Sequence, residues 1–556
     1  MQEWVDGRPV RPVRRRRWAG PDLLRVAVVV LALGVLVVPV LATVTGYGDG
    51  ARANGDEVVA LLLPVEAGRG SAELVFPGNA YQGLIEVPAY AVLWQLAGPD
   101  LVPARLLHQA LWLAALAAWT AACLSVMGAL GATVRARWWG ALAVVGLLGV
   151  TAPVAWSVFS SVYPGYHTGA LLGGVAVLAA TRVQRRRGWW AAGLAAGLAV
   201  YAQPMHGVAV VAVLAAALFG PLAATPTGAA PLPGRSGRLL SAGLGVVFGL
   251  LPLLVWNAAN DWATFRPGNQ PVVHPRWTYL NRLANVVDVS GHVLSGNGSS
   301  GVPPWGVVAN VAVGVVLVAL LACGVMVLVR CGRRGVALQA AVVVAVFGLP
   351  VLGAFSLDDQ YRYAVAWWPA LAVLVAAGTT WLADRPAAGV RHAARAVVAV
   401  AVAAHLAVVV AVGRTALAGA AGQPNATDRT RDLAADLRRC GVDGVVGDYW
   451  SVYPVLWADR AVMVGEVVWG PDRLDAVHPD GWTEPVRVAG LLDPAVADPV
   501  NGAAAVTRAT GRGGGGWVYA VHPGTNVRVA LEITDTPLPD GCLGPDGLRP
   551  LGDPPA

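Results

Sequence analysis

Apolar runs long enough to cross a bilayer recur from near residue 24 to near residue 413, and nothing else narrows the possible folds as much. The first, "LRVAVVVLALGVLVVPVLATVT" at 24–45, carries one charge, Arg25, at its start. About 20 apolar residues cross the hydrocarbon core as a helix. Backbone N–H and C=O groups find no water there, so such runs must pair them internally. Composition agrees: the chain is 56% hydrophobic and 13% charged, against about 25% charged in an average soluble domain. The first run is too long for a signal-peptide core and lacks a small-residue cleavage site, so it reads as a retained anchor.

The charges give orientation. Hydropathy predicts about eleven spans, at 24–45, 103–131, 138–155, 166–181, 189–203, 206–224, 239–258, 306–329, 336–354, 363–382 and 396–413. "RPVRRRRW" precedes the first. "RAR" (135–137), "RVQRRR" (182–187), "GRSGR" (234–238), "RCGRR" (330–334) and "DRPAAGVRHAAR" (384–395) follow every second span. The positive-inside rule puts all of these in the cytoplasm. The expected protein is therefore a multi-pass plasma-membrane protein with a cytoplasmic N-terminus. It divides into a basic tail (1–23), a transmembrane domain (24–413) with outer loops 46–102 and 259–305, and an extracytoplasmic domain (414–556). The net charge of +7 does not indicate nucleic acid, because the basic residues form scattered clusters rather than one patch. Every one is Arg, which with the abundant Ala, Val and Gly suits an actinobacterial, high-GC coding sequence.

The outer side holds the informative residues. Its first loop carries Asp56, Glu57, Glu66, Glu73 and Glu86, and within it "IEVPAYAVLWQLAG" is amphipathic, as a segment lying on the membrane surface would be. In the tail, "TDRTRDLAADLRRCG" predicts a helix, with Thr427 or Asp428 as N-cap, Leu433 and Leu437 on one face, and Gly441 as the stop. "VDGVVGDYW" and "RAVMVGEVVW" read as strands, which suggests a partial α/β unit. Beyond Gly511 a glycine-rich loop and an unstructured Pro-rich end are expected. There is no CxxC or Cys/His cluster, which argues against a zinc or redox site. Cys440 and Cys542 would form a disulfide if the tail is outside the cell and they meet in space; the sequence leaves that open.

The order of these features resembles the membrane-embedded glycosyltransferases of the GT-C superfamily. It is most similar to glycosyltransferase family 39, which includes the protein O-mannosyltransferases and lipid A aminoarabinose transferases. "GDE" (55–57) resembles the acidic motif that opens the family's first outer loop. "GNAYQGLIEVPAYAVLWQLAGPDLVPARLLHQAL" resembles the rest of that loop through Tyr81, Gly83, Glu86, Gly98, Pro99, Arg105 and Leu106. "PGYHTGALLGG", "FGLLPLLVWNAAND", "DDQYRYAVAWWPAL" and "DYWSVYPVLWADR" follow in the family's order. The chain departs from it at 87–89, where Val-Pro-Ala stands in place of the Lys-Pro-Pro of some members, and it has no acid near His167. Those departures leave the donor sugar open.

The resemblance implies a mainly α, polytopic helical bundle with a small C-terminal α/β domain. The implied activity moves a sugar from a polyprenyl-phosphate donor to a hydroxyl acceptor (protein, glycan or lipid), with no cofactor or metal and no nucleic-acid partner. Inverting transfer needs one carboxylate base, and the resemblance places it at Asp56; a plain helix cap is the competing reading. Glu57 is either a substrate contact or a helix-start charge. Arg362, basic on the outer side, is the candidate for the departing phosphate, or it pairs with Asp358 or Asp359. Tyr81, Glu86, Tyr163, His167 and Asn257 are candidate sugar contacts, and Arg105 either joins them or holds Glu86 or another loop carboxylate. A transporter or lipid flippase is the alternative, but no internal repeat is visible and the ionisable residues gather at the outer ends of spans. A catalytically inactive relative serving as a scaffold is a further alternative.

Overall fold

The computed structural model describes residues 4–5, 8–9, 23–34, 55–68, 74–77, 81–98, 100–150, 161–183, 185–220, 233–265, 280–281, 284, 302–348, 364–420, 426–458, 464–469, 487–492, 503–504, 507–508, 516–523, 527–544 and 548–551. Ala- and Leu-rich runs favour helix intrinsically, and Val follows them where lipid offers the backbone no other partner. The helices are α1 (Leu23–Gly34), α2 (Gly55–Gly68), α3 (Val87–Ala97), α4 (Leu101–Ala129) and α5 (Val134–Val144). Next come α6 (Tyr166–Arg182), α7 (Arg186–Ala202), α8 (Gly207–Phe219), α9 (Arg235–Ala259) and α10 (Pro304–Arg330). The last are α11 (Val336–Val343), α12 (Ala364–Ala383), α13 (Ala388–Ala420), α14 (Ala426–Arg439) and α15 (Tyr449–Ala458).

Among the described residues, four helices are long and apolar enough to cross a membrane: α4, α9, α10 and the Ala388–Thr415 part of α13. That is fewer than the expected eleven, and the difference has local causes. α6 and α7 hold 17 residues each. At 1.5 Å per residue they rise roughly 25 Å, short of the ~30 Å hydrocarbon core. α7 stops where Gln203 turns extended ahead of Pro204, and a short 3-10 turn, Pro204–His206, leads into α8. α5 ends in a π turn, Val145–Gly149. The predicted spans 24–45 and 138–155 continue into residues outside the described ones.

Small residues set the helix spacing. Gly193 and Gly197 of α7 face Gly245 and Gly249 of α9. A Cβ on Gly193 would strike the Ala242 carbonyl oxygen, and one on Gly245 the Trp190 carbonyl oxygen. Four-residue spacing of small side chains on both helices is what lets two backbones approach this closely.

The tail carries a six-stranded mixed sheet. Its strands are β1 (Gly444–Asp448), β2 (Val464–Trp469), β3 (Val488–Leu492), β4 (Trp517–Val521), β5 (Arg528–Glu532) and β6 (Arg549–Pro550). The order is β2-β1-β3-β5-β4-β6, with the β1 pairs parallel and the rest antiparallel. α14 buries Leu433 and Leu437, and Gly441 stops it in a left-handed turn (φ 73°) in which the Val442 N–H donates to the Leu437 carbonyl. The strand read in "VDGVVGDYW" ends at Asp448, and Tyr449–Ala458 is a helix. The Pro-rich end, expected to be unstructured, carries β6, and β4 and β5 lie between it and the glycine run, of which 511–515 lie outside the described residues. A disulfide joins Cys440 to Cys542, with Cα atoms 4.6 Å apart, and both residues are buried.

One hydrophobic core unites the tail with the first outer loop. It contains Val58–Leu63 of α2, Phe76, Leu84, Tyr90, Leu101 and Val162 together with Leu433, Val445, Tyr453, Trp457, Leu491 and Val529. α15 packs directly on α2. Thr427 and Asp428, the alternative N-caps expected for α14, both lie inside that helix, which begins at Ala426; the Thr427 Oγ1 accepts from the Leu101 N–H (3.3 Å) and donates to Asp100 Oδ1 (3.2 Å). Asp100 in turn caps α4 by accepting from the Val102 N–H.

Candidate active site

Asp56 and Glu57 lie in the first turn of α2, where the helix dipole favours negative charge. Successive helical residues point about 100° apart, so the two carboxylates have different surroundings. Both are buried, Asp56 at 6% exposure and Glu57 at 0%. Glu57 is held on all sides. Arg105 donates from Nε to its Oε1 (3.0 Å) and from Nη2 to its Oε2 (2.7 Å), a bidentate pair, and the Val162 N–H donates to Oε1 (2.9 Å). Arg105 therefore holds Glu57, not Glu86.

Arg105, His108 and Trp112 follow one another at helical spacing on α4 and share a face. Tyr90 Oη lies 2.7 Å from His108 Nε2, and His108 Nδ1 lies 2.9 Å from His167 Nδ1. Trp112 stands edge-on to the His167 ring, with centroids 6.2 Å apart. His167 Nε2 is buried without a hydrogen-bond partner. Counting donors assigns the protons. If Tyr90 donates to His108, then His108 Nδ1–H donates to His167, and His167 carries its own proton on Nε2. The reverse arrangement strands both the Tyr90 hydroxyl proton and the His167 Nε2 lone pair. The first leaves one buried group unsatisfied instead of two, so His167 presents an N–H donor.

Glu86 precedes α3, and Pro88 sits in the first turn of that helix, where a missing N–H costs nothing. Its Oε1 accepts from the Gly165 N–H (2.8 Å), and its Oε2 is buried with no bond of normal geometry. Burial raises its pKa above the usual carboxylate value; the Thr168 hydroxyl and the Gly165 N–H pull the other way. Gly165 has φ 78°, and a Cβ there would meet the Ala202 carbonyl oxygen, so the position requires glycine.

The rest of the outer loop is fastened to the same helix ends. Gln82 Nε2 donates to the Pro164 carbonyl, the Gly83 N–H to the Tyr201 carbonyl (2.8 Å), and the Tyr201 hydroxyl to the Leu74 carbonyl (2.6 Å). Tyr81 is half-buried at the edge of this segment, and half-buried Tyr163 rests against Tyr166, ring centroids 5.8 Å apart. Glu57, Arg105, Glu86, Tyr163 and His167 thus meet where α2, α3, α4 and α6 begin. Asn257, at the end of α9, turns its side chain back on its own segment. Its Nδ2 donates to the Leu253 carbonyl (2.9 Å) and Thr264 Oγ1 (2.8 Å), and its Oδ1 accepts from the Thr264 N–H (3.1 Å). Arg362 lies outside the described residues. Among the described residues, no group of three or more His, Cys, Asp or Glu is placed to hold a metal ion.

Tyr90, Gln82, His108 and Tyr201 do not figure among the residues the sequence singles out. His108 had a usable signal. It and Gln109 are polar residues inside an apolar run, one turn from Arg105, and a polar group at such depth calls for a partner.

No family model and no curated protein sequence matches the chain. Its fold is shared with ArnT from Cupriavidus metallidurans. The structure of that protein bound to undecaprenyl phosphate superposes with a TM-score of 0.52, and its apo structure with 0.53. In both cases identity is 14%, and the match covers 91% of this chain and 98% of the other. The likeness is therefore one of fold: a mainly α bundle with several apolar spans and a C-terminal α/β region.

Proposed function

We propose that the protein is a membrane glycosyltransferase that moves a sugar from a polyprenyl-phosphate donor to a hydroxyl acceptor at the outer face of the plasma membrane. The observation that carries this reading is the fold shared with ArnT, with two buried acids in the first turn of α2. Glu57 is taken up by Arg105 and the Val162 N–H, and we assign Asp56, buried beside it, as the acceptor base. The acceptor oxygen forms its bond to the anomeric carbon as its proton passes to Asp56, and the bond from that carbon to the phosphate oxygen breaks with inversion. The polyprenyl phosphate that leaves needs fixed positive charge, a role we give to Arg362. That a solved ArnT structure holds undecaprenyl phosphate supports a donor of this class.

The sugar is assigned to the wall formed by Glu86, Tyr81, Tyr163 and His167. Glu86 offers a buried Oε2 with no bond of normal geometry and His167 an unpaired N–H donor, a complement to sugar hydroxyls. Asn257 we assign to shaping the end of α9, because its side chain is already bonded within its own turn. The disulfide between Cys440 and Cys542 favours an oxidising compartment for the tail, in keeping with an outward-facing site.

The test is to incubate membranes carrying the protein with labelled polyprenyl-phosphate sugars. The label should leave the lipid and appear on a hydroxyl acceptor. A label that crosses the membrane still joined to its lipid would instead mark a flippase.

A further inference from the structure

At the other end of α4 from this site lies a second feature. A cleft of about 280 Å³ opens between the ends of α4, α10 and α12. Met127 lines it 22 positions beyond Arg105, roughly 30 Å along the helix axis, so the cleft is no part of the Asp56 site. Its apolar wall includes Met127, Leu130 and Val327, and its mouth is Arg330, Trp381 and Arg385. The Arg385 guanidinium carbon lies 3.4 Å from the Trp381 ring centroid and that of Arg330 lies 5.9 Å from it. A guanidinium stacked on an indole keeps its edge N–H groups free to bond, and their fork matches a phosphate.

The charge balance points the same way. Among the described residues neither arginine pairs with a carboxylate. Asp384, the acid in the lining, is already satisfied. Its Oδ1 accepts from the Thr133 hydroxyl (2.7 Å) and its Oδ2 from the Thr133 N–H (3.0 Å). Arg391 and Arg395 add positive charge behind it, donating to the Arg385 carbonyl (3.0 Å) and the Ala383 carbonyl (2.7 Å).

We infer that this cleft binds the phosphate headgroup of an anionic phospholipid, held by Arg330 and Arg385, with its glycerol against Met127, Leu130 and Val327. Basic pockets between span ends attract anionic lipid headgroups in this way. Under the topology proposed above the lipid belongs to the inner leaflet; the binding chemistry itself does not depend on sugar transfer.

The experiment is native mass spectrometry of the full-length protein in detergent. It is titrated separately with phosphatidylglycerol and phosphatidylcholine, then with water-soluble glycerol phosphate as competitor. Phosphatidylglycerol should be retained at about tenfold lower concentration than phosphatidylcholine, glycerol phosphate should not displace it, and the R330A/R385A variant should lose the preference. Equal retention of the two lipids by the wild-type protein overturns the inference, and that comparison holds whether or not the variant folds. Displacement by glycerol phosphate would mark a free-anion site and overturn it too, as would a folded double variant with its preference intact.

Discussion

Glu57 and Asp56 are neighbours with opposite expected phenotypes. Replacing Glu57 by Gln leaves the Arg105 guanidinium charged and buried without its counter-ion. Breaking one side of a buried pair costs about 3–5 kcal/mol, so Glu57→Gln should lower the thermal unfolding midpoint of the purified protein sharply and reduce its yield. An unchanged midpoint would mean that the pair does not hold the start of α2 against α4. The sequence makes the two acids and Glu86 conspicuous, because carboxylates beside apolar runs are costly unless paired or used. It does not show which acid is structural. That depends on Arg105 and the Val162 N–H converging on one carboxylate across 48 and 105 residues of chain, and no local pattern encodes such a meeting. The Tyr90–His108–His167 series is hidden for the same reason, since its members come from three helices.

The positions of the helices were legible where caps and breakers were: α6, α9 and α10 begin and end within a few residues of their apolar runs. The break at Gln203–Pro204 was legible too, since the expected spans stop at 203 and resume at 206; the π turn that follows α5 was not, because hydropathy does not register it. The last strands were missed because composition was weighed over pattern. "WVYAV" and "RVALE" are short β-prone runs between turns, and the glycine and proline around them obscured the signal. Helix packing yields a sharp expectation. A side chain at Gly245 must push α9 away from the Trp190 carbonyl of α7. Gly245→Val should therefore destabilise the bundle by about 1–3 kcal/mol, read as faster limited proteolysis of the detergent-solubilised protein, whereas Gly243→Val, with open space at that position, should behave like wild type. Equal proteolysis of the two variants would contradict close α7–α9 packing.

At the scale of the whole molecule, the tail shares one hydrophobic core with α2. The sequence reads the tail as a domain by itself, yet its hydrophobic core runs without a break into α2, α3 and the start of α4. Hydropathy divides a chain by solvent preference and has no means of seeing a core shared by segments almost 400 residues apart. The Cys440–Cys542 bond spans 102 residues of chain, and removing a cross-link of that size costs about 2–5 kcal/mol. Cys440→Ser should raise hydrogen exchange in β1 and β5 and, through the contact of α15 with α2, in residues 58–63 as well; exchange confined to the tail would show that the shared core does not transmit the loss.

The central claim is that Asp56 takes the acceptor proton. Asn at this position keeps the size and a hydrogen-bonding side chain but is not a base. Losing a general base costs about 10²–10⁴-fold in rate. The decisive measurement is the initial rate of sugar transfer from a labelled polyprenyl-phosphate donor by wild type and Asp56→Asn, at matched expression and thermal midpoint. A fall of at least about 100-fold in a variant that still inserts and folds is the predicted result; transfer at the wild-type rate would contradict the account.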